Sequence, residues 1–81
     1  SQVIAKINET HDHRIIAILQ ESLEHELHAV SLYKLLLEEV HDSSVYLEEY
    51  ARGQIGQEEQ HALEIKKMLK NLYGLRINYP V

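Results

Sequence analysis

Residues 15–40, IIAILQESLEHELHAVSLYKLLLEEV, place apolar side chains at Ile16, Leu19, Leu23, Val30, Leu37 and Val40. Steps of three and four residues put these positions on one face of a helix. Asn8, Thr10 and Asp12 are each suitable N-caps, so the spacing predicts a long helix over about residues 10–41. His41-Asp42-Ser43-Ser44 then breaks the pattern with polar side chains suited to a turn and to capping a following helix. A second stripe runs from Val45 to Tyr73 through Leu47, Ala51, Ile65, Met68 and Leu72, and Gly74 suits a left-handed C-cap. That helix is expected over about residues 44–73. The chain therefore reads as all-α, one domain over residues 1–81, folded as a two-helix antiparallel hairpin.

Composition bounds what such a hairpin can be. The 81 residues are 44% apolar with no Phe, Trp or Cys, and the formal charge is −5. A chain this short buries a modest share of its surface, and natural solutions are disulfides, a metal or oligomerisation. The missing cysteine removes the first and mildly favours a reducing interior. The negative charge argues against a nucleic-acid partner and suits cations. No apolar run approaches the roughly 20 residues of a membrane span, and nothing reads as a signal peptide, so a soluble, cytoplasmic chain without membrane contact is expected. Two segments outside the stripes, Val3 to Ile7 and Leu75 to Val81, are weakly amphipathic and are expected to pack on something, such as a partner subunit. Gly53 and Gly56 cost about 1 kcal/mol each inside a helix relative to Ala. Either a neighbouring backbone comes close there or both face solvent.

Filling the stripes at strict spacing brings ionisable groups into the seam. The first becomes Ile16, Leu19, Leu23, Glu26, Val30, Tyr33, Leu37, Val40, and the second becomes Leu47, Ala51, Gln54, Glu58, Ile65, Met68, Leu72, with His61 on the step after Glu58. Buried carboxylates call for a compensating cation. With the turn centred near residues 42 and 43, Glu26 and Glu58 both stand about 16 residues from it, at the same depth along the hairpin. Glu58 and His61 share a helix face one turn apart and can hold one ion together. A Glu from one helix and Glu-x-x-His from the other is half of the carboxylate-bridged di-iron site of four-helix bundles, so a second copy is needed to complete it.

The motif alone is weak, because six His and 11 Glu in 81 residues produce Glu-x-x-His by chance. A second instance, Glu38 to His41, falls off the seam and near the turn, and reads as a solvated helix end. The rival reading of the seam residues is polar groups that fix pairing in a coiled-coil-like assembly. Tyr33 is about 10 Å along its own helix from Glu26, either a phenol near the site or a core tyrosine. His25 and His28, with Glu21 and Glu24, form an exposed patch that could receive ions on their way inward or merely decorate the helix. His11 and His13 decorate the helix start, Glu48, Glu49 and Glu64 a wet face, and Glu59 is a reserve ligand.

Glu26-Leu-His-Ala-Val-Ser-Leu-Tyr33 and Glu58-Glu-Gln-His61-Ala-Leu-Glu-Ile65 resemble bacterioferritin and, more closely, the encapsulated ferritins of the ferritin-like superfamily, over roughly residues 12–73. The resemblance implies that two hairpins form a ferritin-like four-helix bundle with a di-iron ferroxidase site between them. It implies iron ligation by Glu26, Glu58 and His61, Glu58 bridging, with Tyr33 as a nearby phenol. Other divalent metals could substitute for iron. His25 and His28 stand where related proteins can carry acidic side chains, as a secondary metal or uptake position. Homodimers would join into an even-numbered ring such as a decamer, housed in an encapsulin shell in the cytoplasm. The implied function is oxidation of Fe²⁺ to Fe³⁺ for storage or detoxification. A rubrerythrin-like di-iron peroxidase and a non-catalytic helical oligomerisation module are the alternatives.

Overall fold

A computed structural model describes the backbone of residues 2–78 and the side chains of residues 11–74. Two helices, α1 (Gln2–Glu39) and α2 (Val45–Asn78), form a hairpin with no strand among the described residues. α1 starts well before the expected residue 10 and ends at Glu39 rather than 41. Because no Gly or Pro occurs before Gly53, nothing breaks the backbone ladder at Asn8, Thr10 or Asp12, and these expected caps lie inside the helix. α2 likewise runs past Gly74, which keeps an ordinary helical φ instead of the expected left-handed cap. The expected packing of Val3–Ile7 and of Leu75–Val81 falls on side chains outside the described residues.

The turn is built by its polar side chains. Val40 O accepts the Ser43 backbone N–H at 3.0 Å and the Ser43 hydroxyl at 2.9 Å. Asp42 takes φ 61°, a left-handed conformation that Asp tolerates better than most residues. Its N–H donates to Glu48 Oε1 at 2.9 Å. Ser44 caps α2, its hydroxyl accepting the Leu47 N–H at 3.2 Å while its carbonyl takes the Glu48 N–H at 3.0 Å.

The seam of α1 is as expected: Ile16, Val30 and Val40 are buried, and Leu19, Leu23, Glu26, Tyr33 and Leu37 half-buried. In α2 it differs. Ala51, Ala62, Ile65 and Leu69 are buried, with Ile55, Glu58 and Leu72 half-buried, whereas Leu47 and Met68 are exposed. These positions alternate steps of four and three, the narrow seam of a helix with a single neighbour. Leu47 and Met68 belong to the next stripe, Leu47-Gln54-His61-Met68, which the hairpin leaves on its flank. The best-buried cluster, Ile16, Ile65 and Leu69 with Leu19, Leu23 and Leu72 against it, sits toward the open end, where Gln20 Nε2 donates to Tyr73 Oη at 2.8 Å. Gly53 and Gly56 are exposed, and a Cβ on either would meet nothing within 4 Å, so within the hairpin no backbone approaches them.

The hairpin is a rod of 62 × 15 × 13 Å. Its radius of gyration, 18.3 Å, compares with about 12 Å for a compact domain of this length. Its accessible surface is 6483 Å², where a compact monomer of 9.4 kDa would expose about 5,000 Å². The excess is apolar in part: Ile18, Leu27, Leu32, Leu35, Leu63 and Met68 are all exposed.

Candidate metal centre

Midway along the rod the two helices bring Glu26, Glu58 and His61 together, with one ligating atom from each inside a 4.8 Å circle. α1 supplies Glu26 and α2 supplies the other two, one turn apart. His61 Nδ1 lies 3.8 Å from Glu26 Oε2 and 3.8 Å from Glu58 Oε2, facing both carboxylates but beyond hydrogen-bond length. The carboxylates are largely covered, at 22% and 18% side-chain exposure, and the imidazole is 43% exposed. Glu26 Oε2 is sealed from solvent and has no hydrogen-bond partner. Buried polar atoms are nearly always satisfied, and a carboxylate oxygen that is not carries a penalty of about 1–3 kcal/mol or more. Two carboxylates and an imidazole around one point form a donor set for a divalent transition metal, the oxygens being hard and anionic and the nitrogen borderline.

His61 is on the stripe that the hairpin leaves open, between Gln54 and Met68, so the triad is covered by the seam on one side and open to the flank on the other. Tyr33 and Tyr50 lie on the turn side of the triad, with ring centroids 6.2 Å apart in an edge-to-face contact at 75°. The Tyr33 phenol titrates above its ordinary value, chiefly through hydrogen bonding with Tyr50, then through charge repulsion between the two phenolates, and last through burial. Its described neighbour is thus a second phenol of the same hairpin. His25 and His28 are exposed and stand outside the triad, as does Glu59.

A second group of ligand-type side chains was not anticipated. His41, Asp42 and Glu48 also present one atom each within 4.8 Å. His41 Nε2 is 3.3 Å from Asp42 Oδ2, and His41 Nδ1 is 3.6 Å from Glu48 Oε1. Sequence spacing pairs His41 with Glu38, but α1 has ended by His41, and the turn swings the imidazole toward residues that follow it. Glu48, expected on a wet face, is only 14% exposed at its side chain because it folds back over the turn to cap Asp42. The signal that could have found this group is an acidic side chain on the first turn of α2, placed to cap the loop before it.

The molecule is thus a two-helix hairpin with a carboxylate–histidine triad set into its seam. Comparison with models of protein families, with curated proteins and with solved structures finds no match to the chain.

Proposed function

We propose that two copies of this hairpin pair across the open flank of the triad into a ferritin-like four-helix bundle, in which Glu26, Glu58 and His61 of each copy bind a pair of Fe²⁺ ions as substrate and oxidise them to Fe³⁺. The observation that carries the reading is the sealed, unpartnered oxygen of Glu26, aimed at the two other donors. A second copy is required because three donors are half of the four-Glu, two-His set that holds an iron pair in such bundles. The stripe Leu47-Gln54-His61-Met68 supports the same conclusion, since the half-buried His61 shares with the exposed Leu47 and Met68 a flank that a second copy would cover.

In this arrangement Glu26, Glu58 and His61 of each copy would hold the ions, the carboxylates supplying hard anionic oxygens and the imidazole a borderline nitrogen. The carboxylates lower the cost of the rise in charge from Fe²⁺ to Fe³⁺. Each iron gives up one electron, and the pair reduces O₂, with two protons, to H₂O₂. A two-helix subunit encloses no cavity, so any mineral collects outside it, as it would for the cargo of an encapsulin shell. Anaerobic Fe²⁺ titration followed by exposure to air tests the reading. The expected result is saturation at one Fe²⁺ per chain, then a rise in Fe³⁺ absorbance that Glu58→Ala abolishes. Equal absorbance from wild type and Glu58→Ala would overturn it. Replacing O₂ with H₂O₂ in the same experiment distinguishes a peroxidase, in which peroxide is consumed faster than O₂.

A further inference from the structure

We infer that the opposite flank of the hairpin binds a free long-chain fatty acid, its chain lying in a groove between the helices and its carboxylate held by Lys66. The groove has a volume of about 450 Å³, within the roughly 300–1,000 Å³ of small-molecule clefts. Val30 and Ala62, both buried, form its floor, the exposed Leu27 and Leu63 its walls, and Lys34 and Lys66 its two ends. It shares no residue with the triad. Leu63 is two residues past His61, about 200° further round α2, so the groove and the open side of the triad look in opposite directions.

Three observations name the occupant. The first is shape. A trough with one leucine on each side and a buried floor suits a single unbranched chain, whereas a flat bilayer face would rest on Leu27 and Leu63 without reaching Val30 or Ala62. The second is unanswered charge, since no ion-pair partner for Lys34 or Lys66 exists among the described residues. Helical side chains lean toward the N-terminus of their own helix, and because α1 and α2 are antiparallel both lysines lean inward over the trough. They stand about 22 Å apart along the rod, so one head group meets one lysine. The third is the charge around each end. Lys67 and Lys70 adjoin Lys66, and no acidic residue occurs over residues 65–81. The nearby Glu64 carboxylate is turned away, accepting Gln60 Nε2 at 3.3 Å. Lys34, by contrast, is followed one turn later by Glu38. The carboxylate therefore lies at Lys66, and the chain runs toward the turn to end against the methylene stem of Lys34. Glu59, also lining the groove and midway between the two lysines, repels any further anionic group along the chain, which selects a ligand with a single terminal charge.

The inference does not rest on iron. Calorimetric titration of the full chain with sodium dodecanoate below its micelle concentration tests it, with helicity followed by circular dichroism. The expected result is a single dodecanoate bound per chain. Dodecyltrimethylammonium, with the same tail and the opposite head charge, should bind more weakly by about tenfold, the worth of one charge-assisted hydrogen bond. Lys66→Glu should weaken dodecanoate by at least as much, and Lys66→Arg should keep it. Leu63→Glu alters a side chain that is already exposed, so the helices persist while the charged wall abolishes binding. No heat of binding, equal affinity for the two head groups, or binding unmoved by Leu63→Glu overturns the inference, as does uptake by phosphatidylglycerol vesicles without binding of free dodecanoate. A particle mass that falls in Leu63→Glu, with no dodecanoate bound by wild type, gives the groove to a second copy and overturns it too. Glu58→Ala should bind dodecanoate as wild type does, so failure of the groove and failure of the ferroxidase reading are read separately.

Discussion

Two places in this molecule gather two carboxylates and a histidine within reach of one ion, and they are not equivalent. At the turn, His41 stands between Asp42 and Glu48, and Glu48 already accepts the Asp42 N–H. Each acidic group there is engaged by the hairpin itself or wetted by solvent, so the cluster is complete as a clasp on the loop. In the seam, Glu26, Glu58 and His61 face one another at distances too long to satisfy one another, and one carboxylate oxygen is covered from solvent without a hydrogen-bond donor. The same residue types therefore make a structural latch where they are solvated and a candidate metal centre where the packing leaves them short of a partner.

The comparison can be broken by experiment. The largest effect is expected from Glu58→Ala, which should weaken Fe²⁺ binding by more than the roughly 10–100-fold typical of an outer-sphere substitution, whereas Glu48→Ala should leave the anaerobic Fe²⁺ titration unchanged. If the two variants lose metal equally, the distinction fails. Next in size is Glu26→Met in metal-free protein. Removing an unsatisfied buried carboxylate should raise stability by about 1–3 kcal/mol, read as a shift in urea midpoint, and a loss of stability would show that Glu26 is satisfied without metal. Glu48→Ala should cost about 1 kcal/mol of stability through the lost Asp42 N–H bond, and Ser44→Ala, which removes the cap of α2, about the same.

The smallest effect concerns Tyr33, between the two triads. Its folded pKa is raised above 10.0, so the stability this phenol contributes is complete below pH 10 and lost as pH climbs through the raised value. Tyr50→Phe removes the main cause, and ultraviolet titration should then show Tyr33 ionising at lower pH. An unchanged titration would mean that Tyr50 does not set it.

Legibility from sequence followed the strength of the local signal. The seam of α1 could be read residue by residue because Leu, Ile and Val fill it almost without interruption. The seam of α2 could not, since Ala51, Gln54, Ile55, Ala62 and Met68 offer several stripes of similar apolarity and only the neighbouring helix selects one of them. Ala62 and Leu69 are covered by α1 while Leu47 and Met68 are left outside. Helix ends were misplaced for a different reason. Asn8 and Gly74 allow a helix to stop without requiring it, and the ladder continues through both. The group at His41, Asp42 and Glu48 was missed because it spans a turn, where helical spacing no longer tells which side chains meet.

The sequence by itself determined two long helices, the polar break between them, and equal depth for Glu26 and Glu58, because periodicity and counting from a turn are properties of the chain alone. Only the tertiary structure decided that Glu26 Oε2 is left without a partner, that His61 lies at the edge of the seam on an open flank, and that Glu59, Leu63 and Lys66 line a separate groove. These depend on the angular setting of one helix against the other, which many contacts fix together and no single segment encodes.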